Sequence, residues 1–346
     1  MKTVFISIKE FSDMHKEWND LLGKTKYPNL FLTWEWLYSW WEIFQKKNYE
    51  LAVVAFYDKS ELVGISPTFL HKTPFGNIVR LLGDESVDSC YLDIIAKQEF
   101  RQFVLSKTKK LFENDSILFK YVDNDSDLKY RFTDKPIELS KCPIVELPEN
   151  IEDYLARLSR NERHNYRRAA KEYKDVKFSA DHDLSTVFSI NKKRFGSQSF
   201  SPKQRDFLKK FSSRFSEYEV LKYEIENDAA YNLNYYYKNT VFFYSAAFVS
   251  QEKNLGIGKA LCFKNIENSI KNRYSYFDML RGTQEYKTKL SSRMKTNIGL
   301  YEGKGTYKTL FFILKLLNKI SYQIEKYMPS RIKQALQKSW IARVVR

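Results

Sequence analysis

The stretch FFYSAAFVSQEKNLGIGKAL, residues 242–261, changes character halfway along. Up to Val249 its residues are aromatic, β-branched or small and read as a strand. Lys253-Asn254-Leu255-Gly256-Ile257-Gly258 then opens a helix. Glycine lets the backbone turn tightly and approach a ligand closely. Free amides at a helix start, together with its dipole, favour phosphate. Lys253 and Lys259 add positive charge. The segment therefore reads as a diphosphate cradle, although the same two glycines also suit a purely structural strand-to-helix turn. The chain has no Gly-x-x-x-x-Gly-Lys-Ser/Thr sequence, and its three-glycine dinucleotide fingerprint is incomplete.

Upstream, residues 219–226, 229–237 and 240–249 have a period of two. Asn227-Asp228 and Lys238-Asn239 mark the turns of an antiparallel meander. Downstream, a helix over 256–272 crosses to a strand at 274–280, which such a crossover makes parallel to the strand before it. Helices at 184–195 and 202–215 precede the meander. Ile151, Tyr154, Leu155 and Leu158 start an earlier helix, and Arg160, Arg163, Arg167, Lys171 and Lys174 follow as one basic stripe. Pro136, Pro143 and Pro148 set the domain boundary at 144/145. In the first part, a strand at 4–8 leads to a helix capped by Ser12 and ended by Gly23. A second helix, capped by Thr33, carries Trp36, Leu37, Trp40, Trp41 and Phe44. Strands are expected at 51–57, 62–70, 78–82, 91–95 and 116–122, with a helix at 98–113.

Lys253 to Gly258 resembles the acetyl-CoA loop of GCN5-related (GNAT) acetyltransferases, Gln/Arg-x-x-Gly-x-Gly/Ala, with lysine at the first position. FDMLRGTQEYK, residues 277–287, resembles the Phe-Asp-φ-x-Arg-Gly-x-x-x-Tyr-Lys signature of the CelD/BcsL-like branch, which is associated with cellulose and exopolysaccharide biosynthesis. The aromatic segment around Trp34 to Trp41 and the Arg-rich helix at 157–174 fit that branch too. The resemblance implies an α/β (α+β) fold of two tandem GNAT-like domains, as in Fem-type aminoacyl transferases. Their sheets are mixed and mainly antiparallel. An N-terminal, degenerate domain spans 1–144, an acyl-CoA-binding domain spans 145–306, and helices follow.

It further implies acetyl-CoA as co-substrate, without a metal, and direct attack of an amine on the thioester. Phe248, Lys253, Leu255, Gly256, Ile257, Gly258 and Lys259 would bind the donor. A carboxylate, Asp278 or Glu285, would take the amine's proton. Tyr286 would protonate the leaving thiolate, since a phenol with an unperturbed pKa of about 10 stays neutral until that step. Arg281 and Lys287 would hold an anionic acceptor such as a lipid-linked saccharide, and Trp34 and Trp41 would flank a cleft. Plainer readings stand beside these: an Asp278–Arg281 pair fixing a turn, and tryptophans that are simply core. Aminoacyl transfer from charged tRNA, with the basic stripe on RNA phosphates, is the alternative. A non-catalytic scaffold of a polysaccharide synthase is another. The CoA-like loop favours acyl-CoA over nucleic acid.

The formal charge is +16 over 346 residues, and half of that excess lies in 307–346, where nine Lys or Arg face Glu325 alone. In 307–328, Lys308, Lys315, Lys319 and Lys326 share one helical face opposite Leu310, Ile313, Leu314, Leu317, Ile320 and Ile324. Such a helix suits an anionic membrane surface, or packing on the protein itself. Cys90, Cys142 and Cys262 form no disulfide framework, and the four histidines show no metal-ligand spacing. The N-terminus does not read as a signal peptide. The expected location is cytoplasmic, peripheral at the inner membrane face.

Overall fold

The computed structural model describes residues 1–133, 135–174, 178–225, 228–249 and 256–309. Of the basic helix expected at 307–328, residues 310–328 lie outside the described residues, and so does the helix expected after it.

The first half runs β1 (Lys2–Phe5), α1 (Ile8–Asp13), α2 (His15–Gly23), α3 (Trp34–Phe44), β2 (Tyr49–Leu51), β3 (Val54–Asp58), β4 (Glu61–Ser66), β5 (Thr68–Thr73), β6 (Gly76–Leu81), β7 (Ile95–Ala96), α4 (Arg101–Leu111), β8 (Ser116–Asp123), α5 (Leu128–Phe132) and β9 (Ile137–Glu146). The second runs α6 (Ile151–Arg157), α7 (Arg160–Glu172), β10 (Ser179–Asp181), α8 (Leu184–Phe195), α9 (Pro202–Arg214), β11 (Tyr218–Ile225), β12 (Asp228–Tyr237), β13 (Thr240–Val249), α10 (Ile257–Lys271), β14 (Tyr276–Asp278), α11 (Glu285–Leu290) and β15 (Arg293–Glu302). The fold is α/β with mainly antiparallel pairing, as the sequence led us to expect.

The halves repeat one plan. In each, a parallel strand pair joined by a crossover helix follows a meander: β6 and β8 around α4, then β13 and β14 around α10. Each half then adds an antiparallel strand, and these two are exchanged. β9, from the first half, pairs with β14 of the second; β15, from the second, pairs with β8 of the first. β9 and β15 also pair with each other. One sheet of eleven strands results, ordered β10-β11-β12-β13-β14-β9-β15-β8-β6-β5-β2, beside a smaller sheet β1-β3-β4-β7. The boundary placed at 144/145 falls inside β9. Neither β9 nor β15 was expected. The prolines that argued against a strand are accommodated: Pro143 lies opposite Met294, and its carbonyl accepts from the Met279 amide at 2.9 Å.

One hairpin feeds both sheets. Its arms bend at Ala52 and Pro67, and Thr68 closes the bend by donating from Oγ1 to the Ala52 carbonyl at 2.6 Å. Thr33 caps α3 as expected. Ser12 caps nothing; Ser7 and Glu10 form a capping box on α1, and the chain breaks at Met14 before α2. Trp18, Trp36 and Trp40 are fully buried, and each indole N–H has an acceptor: Leu32 O, Ser89 Oγ and Glu85 O, all at 2.9 Å. The apolar rings drive burial of α3, while their polar edges fasten it to the 85–89 loop.

Asn297 on β15 ties the exchange together. Its Oδ1 accepts from the Tyr91 amide at 2.8 Å, and its Nδ2 reaches Ser140 Oγ at 3.2 Å and Cys142 Sγ at 3.1 Å. The residue is fully buried. Asn297→Ala leaves a buried amide unpartnered, a cost of about 1–3 kcal/mol. Chemical denaturation should show that loss with an unchanged m-value, while Asn297→Asp, which keeps the acceptor but adds a buried charge, should cost more.

Candidate active site

β13 and β14 pair over three positions only: Thr240 with Tyr276, Val241 with Phe277, and Phe242 with Asp278. Past Phe242 and Asp278 they part. β14 turns away because its next amides bond to β9, Met279 N to Pro143 O and Gly282 N to Lys141 O at 3.1 Å. The turn uses left-handed backbone at Leu280 (φ 54°) and Gly282 (φ 115°). β13 continues to Val249 with β12 on one edge and no strand among the described residues on the other. A bulge opposite Leu233/Asn234 makes Tyr244 the extra residue of β13. The result is a wedge with an open backbone edge.

α10 starts beside that edge. Gly256 is its N-cap without a side-chain bond, and the Ile257 and Gly258 amides have no acceptor among the described residues. A Cβ on Gly258 would sit 2.6 Å from the Phe248 ring, so glycine is what brings the helix start against β13. Gly256 faces open space. The Arg194 guanidinium lies 4.8 Å from the centroid of the Phe248 ring. Two amides without an acceptor among the described residues, a helix dipole and an open strand edge fit the diphosphate and thioester ends of an acyl-CoA. Lys259 points elsewhere, 2.6 Å from the buried carboxylate of Glu162 on α7. Lys253 and Leu255 lie outside the described residues.

The two faces of the wedge differ. Phe277 and Phe243 pack with Phe263 of α10 on one face, and Tyr286 joins that cluster. Burial, with Cys262 nearby, pushes the Tyr286 phenol well above its ordinary value, so it keeps its proton. Asp278 sits on the other face, beside Tyr91 and Cys142, at 3% exposure. Burial raises its carboxyl to about 6, while the Leu280 amide, Lys295, Tyr91 and Lys287 pull the other way. Glu285 is 80% exposed and ion-paired with Lys289, which holds its pKa down. Lys287 is buried, its Nζ bonded to the carbonyls of Met279 (2.6 Å) and Arg281 (3.1 Å), so it braces the turn. Arg281 pairs with Asp88 of the first half, not with Asp278. Trp34 and Trp41 are core, at 8% and 3% exposure. Trp34 stacks on Tyr38 and Trp41 packs near Phe69, so neither offers a ring face to a ligand.

The first half contains the same wedge, filled. β6 and β8 pair at Ile78–Ser116 and Val79–Ile117, then part. Leu92 occupies the gap, bridging in parallel to Val122 and donating its amide to Tyr121 O at 2.8 Å. The segment expected as a full strand at 91–95 is this plug, with only Ile95–Ala96 in a sheet. Asp88, Tyr91 and Tyr121, which surround the second wedge on its first-half face, carried no periodic or motif signal that would have singled them out. Among the described residues, no group of three or more His, Cys, Asp or Glu side chains could hold a metal ion, and no helix is long and apolar enough to cross a membrane.

Residues 160–288 match the family model described as acetyltransferase (GNAT) domain. That span takes in α7 through most of α11, the open wedge and its helix. The match supports an acyltransferase of the GNAT type, a class whose donors are generally acyl-CoA. Among solved structures, FemX matches with a TM-score of 0.60 and 10% identity, covering 90% of this chain and 99% of that one. L-PGS from Bacillus licheniformis matches at 0.52 and 13%, over 88% and 96%. The C-terminal domain of a putative lysylphosphatidylglycerol synthetase from Agrobacterium fabrum matches at 0.53 and 9%, over 87% and 96%. At these identities the likeness is one of fold, and it spans both halves. A search of curated proteins gives no significant match.

One open wedge and one plugged wedge predict a single acetyl-CoA per chain by calorimetry. Gly258→Val should weaken that binding by about tenfold or more, because the helix start must back away from Phe248. Gly256→Ala should change it little, since a methyl there meets only open space.

Proposed function

We propose that the protein moves an acetyl or related acyl group from acyl-CoA to an amine on a sugar or lipid-linked precursor of polysaccharide or cell-envelope synthesis. The observation that carries the transfer is the backbone edge of β13, unpaired beyond Phe242 among the described residues, with the start of α10 brought against it by Gly258. The choice of acceptor leans on the 277–287 motif. Amine attack forms the C–N bond and expels the CoA thiolate. The base belongs on the acceptor's face of the wedge and the acid on the donor's. Asp278 and Tyr286 stand on opposite faces in that sense. With its pKa near 6, Asp278 is ionised at neutral pH yet basic enough to take the amine's proton, directly or through a water. Glu285, exposed and paired, is the weaker candidate. Tyr286 is the candidate to give the thiolate a proton, and the burial that keeps its phenol neutral also makes that proton harder to give.

Aminoacyl transfer from charged tRNA is the second reading. It is favoured by the fold likeness to FemX and L-PGS and by α7, whose Arg160, Arg167, Arg168 and Lys171 are all exposed. Calorimetry decides between them. Saturable acetyl-CoA binding with no response to charged tRNA supports the first; the reverse pattern replaces it. Peripheral attachment to the inner membrane face through 307–346 belongs to the same proposal. Deleting those residues should abolish partitioning to anionic liposomes, and unchanged partitioning would remove the idea.

Asp278→Asn separates function from folding. The folded pKa of about 6 lies above the ordinary 3.8, so folding disfavours the ionised form. Stability from this residue is full below pH 4 and falls as pH rises toward 6 and beyond. The neutral Asn variant should therefore be more stable than the parent at pH 8 by about 1–3 kcal/mol, a gain that shrinks to nothing by pH 4. Its turnover should fall by about a hundredfold or more. The parent's rate should climb with pH through an apparent pKa near 6, and that limb should vanish in the variant. Full turnover by Asp278→Asn would exclude it as the base.

A further inference from the structure

We propose that Arg281 is the receptor for an anionic group, carboxylate or phosphate, on the acyl acceptor, and that Asp88 holds its place until the acceptor arrives. This rests on the acyl-transfer reading only for the location of the reacting centre. Arg281 leaves the turn that ends β14, three residues after Asp278 and on the wedge's first-half side. Its guanidinium carbon lies 4.1 Å from the centroid of the Tyr121 ring, and its Nη2 donates to Asp88 Oδ1 at 2.5 Å. Its side chain is 20% exposed, whereas that of Asp88 is 67% exposed.

The pair is unequal. A largely buried guanidinium is costly to leave without an anion, but Asp88 loses little by turning to water. Among the described residues, Asp88's carboxylate has no other cation. A ligand anion can therefore replace it at small cost, and the planar fork of arginine suits carboxylate or phosphate bidentately.

The backbone that presents Asp88 need not move. Trp40 Nε1 donates to Glu85 O, Gln204 Nε2 to Ser86 O at 2.7 Å, Tyr244 Oη to Val87 O at 2.9 Å, and Trp36 Nε1 to Ser89 Oγ. Ser86 and Asp88 are held at φ 69° and 53°, conformations that persist only where surroundings impose them. Tyr244 is the bulged residue of β13, so residues 87 and 88 span the mouth, one bonded to each wall. Only the Asp88 side chain has freedom to yield.

The test is a titration of inorganic phosphate and, separately, acetate into the full chain, followed by tryptophan fluorescence, with coenzyme A present at saturation to occupy α10. Asp88→Asn should bind at least one of the anions about threefold more tightly or better, because the internal competitor is gone. Arg281→Lys should lose about tenfold, since an ammonium cannot reproduce the fork. A preference for phosphate points to a phosphorylated acceptor and one for acetate to a carboxylated acceptor. If Asp88→Asn binds both anions no better than the parent, the pair is merely a clamp between the halves and the proposal fails. Acetyl-CoA is titrated into separate samples of the same proteins without coenzyme A. Loss of acetyl-CoA binding with the anion pattern intact overturns the transferase reading and leaves the receptor standing; the opposite result does the reverse.

Discussion

β14 cannot follow β13, because its other edge is committed to β9. Three parallel rungs hold the two strands together. Then the amides of Met279 and Gly282 go to carbonyls of β9, and the sheet opens. β9 belongs to the first half, so the exchange of strands is what keeps the wedge of the second half apart. A wedge in an isolated domain would face the usual pressure to pair its backbone groups. Here one side is satisfied by a strand from elsewhere. The other side, β13 beyond Phe242, keeps an edge of amides and carbonyls that a pantetheine arm can use.

The same fold solves the same problem twice with opposite results. In the first half the chain pairs Leu92 into its own wedge and reaches that position through backbone at positive φ in Ser86, Asp88 and Tyr91. Such residues each cost on the order of 1–3 kcal/mol. The strap that bears them is fixed by indoles from α3, a buried Arg80–Asp84 ion pair, Asn297 and Tyr244. A plug alone would not require that much fixing. The strap also walls the open wedge of the second half, and its constraints converge on the point where Asp278 and Arg281 emerge. The first half thus fills its own wedge and at the same time walls the one beside it.

What the sequence made legible follows from range. The meander, the crossover helix and the glycine approach at Gly258 all lie within the one stretch Tyr218–Lys271, and period and turn chemistry reveal them. The exchange does not have that form. β9 carries prolines at its margin and inside it, and β15 opens with Arg-Met-Lys-Thr-Asn, so neither looks like a buried strand alone. Each becomes one only through a partner more than a hundred residues away. Residue type misled where burial decides the role: Lys259 and Lys287 are cations spent on Glu162 and on backbone carbonyls, and the tryptophans at 34 and 41 are core. The Asp88–Arg281 contact was hidden for the same reason, being a pairing across halves with no local signature.

The electrostatics of Asp278 depend on that long-range arrangement. Full burial alone drives a carboxyl toward neutrality, and a directly bonded lysine would return it to the ordinary range or below. Here the cations are near but engaged. Lys295 is bonded to Asp123 and lies over the Tyr91 ring, and Lys287 is bonded to two carbonyls. They act on Asp278 through space without capping it, and the Leu280 amide donates to its Oδ1 at 2.8 Å. The outcome lies between the two extremes, near 6. Lys295 stands on the exchanged strand and Tyr91 on the strap, so the pKa of Asp278 is a property of the joined halves rather than of the second half alone.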